Sequence, residues 1–171
     1  MRFAALLAEL ADMGTAPSDE ADDFSELDHA LQCAFELAER APADAELQIA
    51  GLVHYIGHRF GGDDQHGRLG AEYLRPVLGD RVAGLVEAHV PAKRYLVVFD
   101  PDYALSEVSR MTLAVQGGPM SSGEIAAFRA GPHWEAALTL RRADDATKTP
   151  GRDVPGLDHW LPLLRHLAGA G

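Results

Sequence analysis

Four histidines, His29, His54, His66 and His89, fall on four different predicted helices, each on or beside an apolar face or at a helix start. Neutral imidazole is the commonest protein metal ligand. Without a metal, four such rings in a core would each need a separate hydrogen-bond partner. A shared metal centre is therefore one reading, and Asp144, with Asp145 beside it, adds carboxylate near the end of a fifth helix. His89 shares a helical stripe with Val82, Leu85 and Val86 and is expected to be buried. His54 and His58 stand four residues apart in Leu52-Val53-His54-Tyr55-Ile56-Gly57-His58, so a regular helix would aim both at one pocket. Spacing alone leaves a second reading open, in which each histidine is a satisfied core residue and the aspartates cap a solvated helix end.

The elements that must position these groups are helical. Phe3, Leu6, Leu7, Leu10 and Met13 repeat with the period of an amphipathic helix that Gly14 and Pro17 stop. An acidic linker from Ser18 to Asp23 follows, and Ser25 is suited to cap a second helix ended by Pro42. A third helix is expected from about Asp44 to His58, then a loop at Gly61-Gly62-Asp63-Asp64. Gln65 to Leu74 reads as a helix closed by Pro76, and a helix capped by Asp80 should stop at Pro91. Further helices are expected over 106–115, 122–129, 132–145 and 157–167, whereas Tyr95 to Phe99 is too short and isolated to imply a sheet. The predicted class is all-α, a compact bundle of short helices around the metal site. One domain spans 1–171, with an N-terminal helix over 1–17 and a core over 25–167.

Bulk properties narrow the function. The 171 residues carry 26 acidic against 15 basic groups, a formal charge of -11, which disfavours nucleic acid and anionic membranes as partners. A small anionic ligand remains compatible if a few cations converge inside. Cys33 is the one cysteine and sits in an apolar run, so a buried thiol in a reducing compartment is expected. The first residues reach Glu9 too soon for a secretory signal, and no stretch approaches the ~18 apolar residues of a membrane span. A cytoplasmic protein is the expectation.

The order of His29, the His54 to His58 stretch, His66, His89 and Asp144 resembles the HD-domain superfamily of phosphohydrolases and oxygenases. Within it, the chain most resembles the diiron oxygenase that cleaves the carbon–phosphorus bond of a hydroxylated aminoethylphosphonate. The similarity extends through Leu27-Asp28-His29-Ala30-Leu31, His66 to Arg75, His89-Val90-Pro91-Ala92-Lys93-Arg94-Tyr95 and Gln116-Gly117-Gly118-Pro119-Met120. The resemblance implies one iron on His29, His54 and Asp144 and a second on His66 and His89. It implies a phosphonate gripped by Lys93, Ser109, Gln116 and Arg141, with His58 near the pocket as proton donor or acceptor. Iron, as one or two ions, is the implied cofactor, another divalent metal being the alternative. A small phosphonate or phosphate, and dioxygen for an oxygenase, are the implied partners.

Two positions depart from that pattern. Tyr55 stands where the family's bridging aspartate belongs, and a neutral phenol lacks a second oxygen and ionises only near pH 10. His29, His54 and Asp144 still make up the two-histidine, one-carboxylate set of non-haem ferrous oxygenases. His66 and His89 by themselves are expected to make a weak two-ligand site, and Tyr55 joins His58 as a catalytic candidate. Upstream, Asp19 and Asp22 replace the family's Tyr and Glu. Three functions follow: an iron-dependent oxygenase of small organophosphonates, a metal-dependent phosphohydrolase, or an HD fold that has lost catalysis and serves binding or scaffolding.

Overall fold

Helix α1 (Arg2–Met13) buries Leu6, Leu10 and Met13, the stripe its periodicity selects. The protein, described here by a computed structural model, is defined over residues 2–18 and 21–169, with the backbone alone at 21 and 22. The expected acidic linker contains a short antiparallel ladder, β1 (Pro17–Ser18) against β2 (Ala21–Ser25). Ser25 then caps α2 (Glu26–Arg40): its hydroxyl accepts from the Asp28 amide, and the Asp28 carboxylate takes the Ser25 amide.

Helix α3 (Ala45–Val53), N-capped by the Asp44 carboxylate, is almost wholly buried. It does not continue to His58. The chain tightens into a 3₁₀ segment, His54–Arg59, with three residues per turn. That change matters for the site, because residues three apart now share a face and those four apart diverge.

The span α4 (His66–Phe99) is two helices joined end to end, as expected between Gln65 and Pro91, the second of them running on past Pro91. Its break falls at Gly79, where φ is 84°, a conformation that glycine adopts without a Cβ penalty. Pro76, expected to end a helix, lies three residues before that break. Asp80, expected to cap a new helix, lies just past it with its carboxylate on Arg75 at 2.7 Å. Pro91 does not stop the helix. It removes one backbone N–H, but Ala92, Lys93, Tyr95 and Leu96 beyond it are buried, and that packing carries the helix through to Phe99.

The chain continues through α5 (Glu107–Val115), α6 (Ser122–Ala130), α7 (Trp134–Ala146) and α8 (Leu157–Gly169), near the expected limits. Helix α2 packs on α3, while α4 packs on α3, α7 and the 3₁₀ segment. The core between them includes Leu37, Ile49, Leu52, Leu85 and Leu140, none exposed; each contributes roughly 1.5–3 kcal/mol by leaving water. The architecture is the all-α, HD-domain-like bundle the sequence predicts. Among the described residues, no helix is long and apolar enough to cross a membrane.

Candidate metal centre and anion pocket

Each of the four inward histidines is locked in one orientation by a backbone carbonyl. His29 Nδ1 lies 3.0 Å from Thr147 O, His54 Nδ1 2.7 Å from Gly51 O, His66 Nδ1 2.8 Å from Asp63 O, and His89 Nδ1 2.5 Å from Val86 O. A carbonyl only accepts, so in a neutral ring the proton sits on Nδ1 and the Nε2 lone pair points away. This is the arrangement that prepares an imidazole for a metal.

Three elements bring the first donor group together. Asp144 near the end of α7 places Oδ1 3.0 Å from His29 Nε2 of α2 and 3.6 Å from His54 Nε2 of the 3₁₀ segment. All three residues are buried, and their ligand atoms lie within 4.8 Å of one another. Two lone pairs on a carboxylate oxygen and an imidazole repel at such range, and His54 Nε2 has no hydrogen-bond partner. Donors bound to one ion at ~2.1 Å sit roughly 3–4 Å apart, so a divalent cation fits this set. Burial opposes ionisation of Asp144, but the Arg141 guanidinium beside it outweighs that cost and holds the carboxyl well below its ordinary range.

His66 Nε2 and His89 Nε2 face each other at 2.9 Å, both rings on α4 on opposite sides of the Gly79 break. Burial, with His58 adjacent, pushes the His66 imidazole down to about 3. Burial and the His66 ring likewise hold His89 well below its ordinary value. Both therefore stay neutral at physiological pH.

The 3₁₀ winding separates His54 from His58. His54 joins the buried group, whereas His58 comes over Tyr55, ring centroids 4.4 Å apart, and stacks on His66 at 4.0 Å. Expecting His54 and His58 on one face assumed 3.6 residues per turn; at 3.0 the shared face belongs to 55 and 58. Gly57 makes the approach possible: a Cβ there would lie 1.8 Å from His66 O. His58, Asp63 and His66 form a further group whose ligand atoms lie within 4.8 Å.

The same cleft holds cations. Lys93, 1% exposed, donates to Thr112 Oγ1 at 2.8 Å and to Ser109 O at 3.4 Å. Burial and the nearby Arg141 lower its ammonium from the usual 10.5 to about 8. Arg141 Nη1 donates to Asp144 Oδ2 at 2.7 Å, Nη2 to Ser109 Oγ at 3.3 Å, and Nε to Asp145 Oδ2 at 2.9 Å. Lys148, in the turn after α7, reaches Ser109 Oγ at 3.5 Å. Gln116 Nε2 donates to Asp63 O, leaving its buried Oε1 without a partner. These groups line a narrow cleft that also includes Tyr55, His58, His66, His89 and Asp144.

Every site residue singled out in the sequence therefore reaches this cleft or the buried cluster beneath it. Asp63, Thr112 and Lys148 were missed, since a loop or a helix face of polar residues is the ordinary solvated surface; the one available signal was an Asp three residues before His66. His133 packs against Gly84, His159 lies on Trp160 and His166 is exposed, none of them lining the cleft. Asp19 and the side chain of Asp22 lie outside the described residues.

Fold and cleft together define an all-α, HD-domain-like protein with a buried His/Asp donor set beside a cleft lined by Lys93, Arg141 and Lys148. The chain is 38% identical over 172 residues to the hydroxymethylphosphonate dioxygenase of Gimesia maris, covering 93% of this chain and 84% of that one. It is 34% identical over 152 residues to the glycine-betaine-forming 1-hydroxy-2-(trimethylamino)ethylphosphonate dioxygenase of Leisingera caerulea, covering 82% and 77%. An uncharacterised protein, L432, of Acanthamoeba polyphaga mimivirus is 32% identical over 154 residues, covering 82% and 70%. No family model matches the chain. The chain belongs to the HD-domain-like phosphonate dioxygenase family.

Proposed function

We propose that this protein is an iron-dependent oxygenase that cleaves the carbon–phosphorus bond of a small hydroxylated phosphonate. The observation that carries the reading is the Arg141–Asp144 pair, which joins the donor set of His29, His54 and Asp144 directly to the cationic end of the cleft. The donors, two imidazoles and a carboxylate, are the set that suits ferrous iron. Iron bound there would supply the activation of dioxygen.

The protein's own groups do the rest. Lys93, Arg141 and Lys148, with the Ser109 hydroxyl, bind the phosphonate oxygens through charge-assisted hydrogen bonds. The Gln116 amide is committed to Asp63 O, so its free Oε1 suits the substrate's hydroxyl, a donor, better than a phosphonate oxygen. Tyr55 and His58 line the same cleft and are the groups available to hold a proton at that hydroxyl. Lys93, Arg141 and Lys148 are balanced by Asp63, Asp144 and Asp145, so a bound metal cation supplies the excess positive charge that a phosphonate dianion needs.

The test uses protein loaded with ferrous iron without oxygen and then given hydroxymethylphosphonate. That substrate and one dioxygen balance atom for atom with formate and phosphate, so both products and oxygen uptake are measured. Phosphate released only with oxygen supports the oxygenase. Phosphate freed from phosphate esters without oxygen would replace it with the phosphohydrolase, and phosphonate binding with no turnover in either case would replace it with a binding module.

A further inference from the structure

Three residues of α2, His29, Gln32 and Glu36, stand at the i, i+3, i+7 spacing of one helix stripe, and each meets the segment that follows α7. His29 Nδ1 lies 3.0 Å from Thr147 O. Gln32 Nε2 donates to Thr149 O at 2.7 Å while its Oε1 accepts from Thr149 N at 3.2 Å. Arg152 Nη2 donates to Glu36 Oε2 at 3.2 Å. Residues 147–152 form no helix or strand, so these contacts fix the course of the segment along α2. The Gln32 amide serves Thr149 as a neighbouring strand would, taking up both its backbone donor and its backbone acceptor. Gln32 is 1% exposed, so its two bonds are made out of reach of water, and a buried amide that lost them would be costly.

The segment carries two groups of the site. The Thr147 carbonyl orients the His29 ring, and Thr147 is itself held by its hydroxyl, which donates to Ala143 O at 2.7 Å. Lys148 lies between the two residues tied to α2, and its ammonium extends into the cleft, reaching Ser109 Oγ at 3.5 Å. A lysine side chain is a flexible four-carbon stem. Anchoring the backbone on either side of it limits where the charge can go.

We infer that Gln32 is a positioning residue for both ends of the site: by holding Thr149 it sets the Thr147 carbonyl against His29 and the Lys148 ammonium against the anion. Arg141 and Asp144 join the metal and anion ends within α7, and Gln32 joins them a second time from α2. The inference rests on the metal-binding and anion-binding parts of the proposed function, not on the oxygenase chemistry.

Gln32→Met keeps the length and bulk of the side chain and removes both bonds to Thr149. Calorimetric titration with manganous ion, and then with methylphosphonate on the manganese-loaded protein, reads the two ends separately, with a melting temperature for every variant. Lys148→Met should weaken methylphosphonate about tenfold, the size of one charge-assisted hydrogen bond, and Gln32→Met should lose part of that, about fivefold. Gln32→Met should also weaken the metal about threefold, less than the roughly tenfold that loss of an orienting partner itself costs, whereas Lys148→Met leaves the metal bound as in the wild type. Adding Gln32→Met to Lys148→Met should cost methylphosphonate at most about twofold more, because both changes act on one group. Gln48→Met is the control for loss of a buried amide: Gln48 donates to Ala41 O at 3.0 Å and Pro42 O at 3.2 Å, does not line the cleft, and should lower melting with both affinities unchanged. Gln32→Asn, too short to keep both bonds, takes the place of Gln32→Met if that variant does not fold. The inference is overturned, with the proposed function intact, if Gln32→Met binds both ligands as the wild type does, if its loss and that of Lys148→Met multiply in full in the double variant, or if Gln48→Met reproduces the losses. A wild type that binds neither manganous ion nor methylphosphonate overturns the proposed function and the inference with it.

Discussion

Arg141 and Asp144 join the two halves of the site through one carboxylate: Nη1 donates to Oδ2 at 2.7 Å, while Oδ1 faces His29 at 3.0 Å and His54 at 3.6 Å. In the proposed site the guanidinium would therefore orient a metal ligand as well as an anion. Arg141→Lys should weaken metal binding by about tenfold or more, because partners that orient ligands carry effects of that size and an ammonium does not reproduce the fork. Titration with ferrous ion checks this. An unchanged affinity would mean that the metal and anion ends work separately.

His29→Ala and Asp144→Ala should each abolish tight binding at the first site, while His133→Ala and His159→Ala leave it intact, since neither of the last two lines the cleft. Bound metal per chain is the measure, with thermal unfolding as a parallel readout. Equal losses from all four would show that the measurement reports folding.

Methylphosphonate, which lacks the hydroxyl and so serves as an unreactive probe, should stabilise the metal-loaded protein. At ten times its dissociation constant, linkage gives about 1.4 kcal/mol, a rise of roughly 3–6 °C in melting temperature for a chain of this size. Lys93→Ala should remove most of the shift, and metal-free wild type should show little, because the cleft's cations are matched by its carboxylates. A full shift in Lys93→Ala would place the anion elsewhere.

Lys93 gives the anion pocket a pH dependence. It is faced by Arg141 and Lys148 and by Asp144 and Asp145, and burial and Arg141 bring its ammonium to about 8. Below that pH it is charged and, on the proposed function, would hold the phosphonate; above it the charge is lost. Affinity in manganese-loaded protein should fall about tenfold between pH 7 and pH 9, and Lys93→Arg should flatten the profile. The stability of the unliganded protein moves the other way. Folded Lys93 releases its proton near 8 and unfolded Lys93 near 10.5, so its contribution rises with pH across that window. Calorimetric titration of wild type at the two pH values decides it, and equal affinities would exclude Lys93.

Gly57→Ala should disturb the packing of the 3₁₀ segment on His66 and the fold together. The new Cβ would sit 1.8 Å from His66 O and 2.6 Å from His66 C, both backbone atoms with little room to give. Overpacking of this kind costs roughly 1–3 kcal/mol or more, so melting should drop by at least about 3 °C. A wild-type melting temperature would show that the 3₁₀ segment can shift away freely.

The all-α class, most helix limits and the identities of the buried histidines were legible in the sequence, because an apolar stripe of period 3.6 is a local property and buried polar residues stand out against it. Ser25 as a cap was legible for the same reason: its partner, Asp28, is three residues away. The rest depended on contacts distant in the chain. Helix α4 runs past Pro91 because Lys93, Tyr95 and Leu96 find burial there, and no local rule weighs that gain against a lost backbone hydrogen bond. The 3₁₀ winding at His54 sent one histidine to Asp144 and the other to Asp63, a division that residue types alone do not carry. Asp63 read as a loop aspartate, and Lys148 as a surface lysine. Tertiary structure alone placed them in the cleft, since electrostatic roles depend on distances of a few ångström between residues as far apart as Ser109 and Lys148.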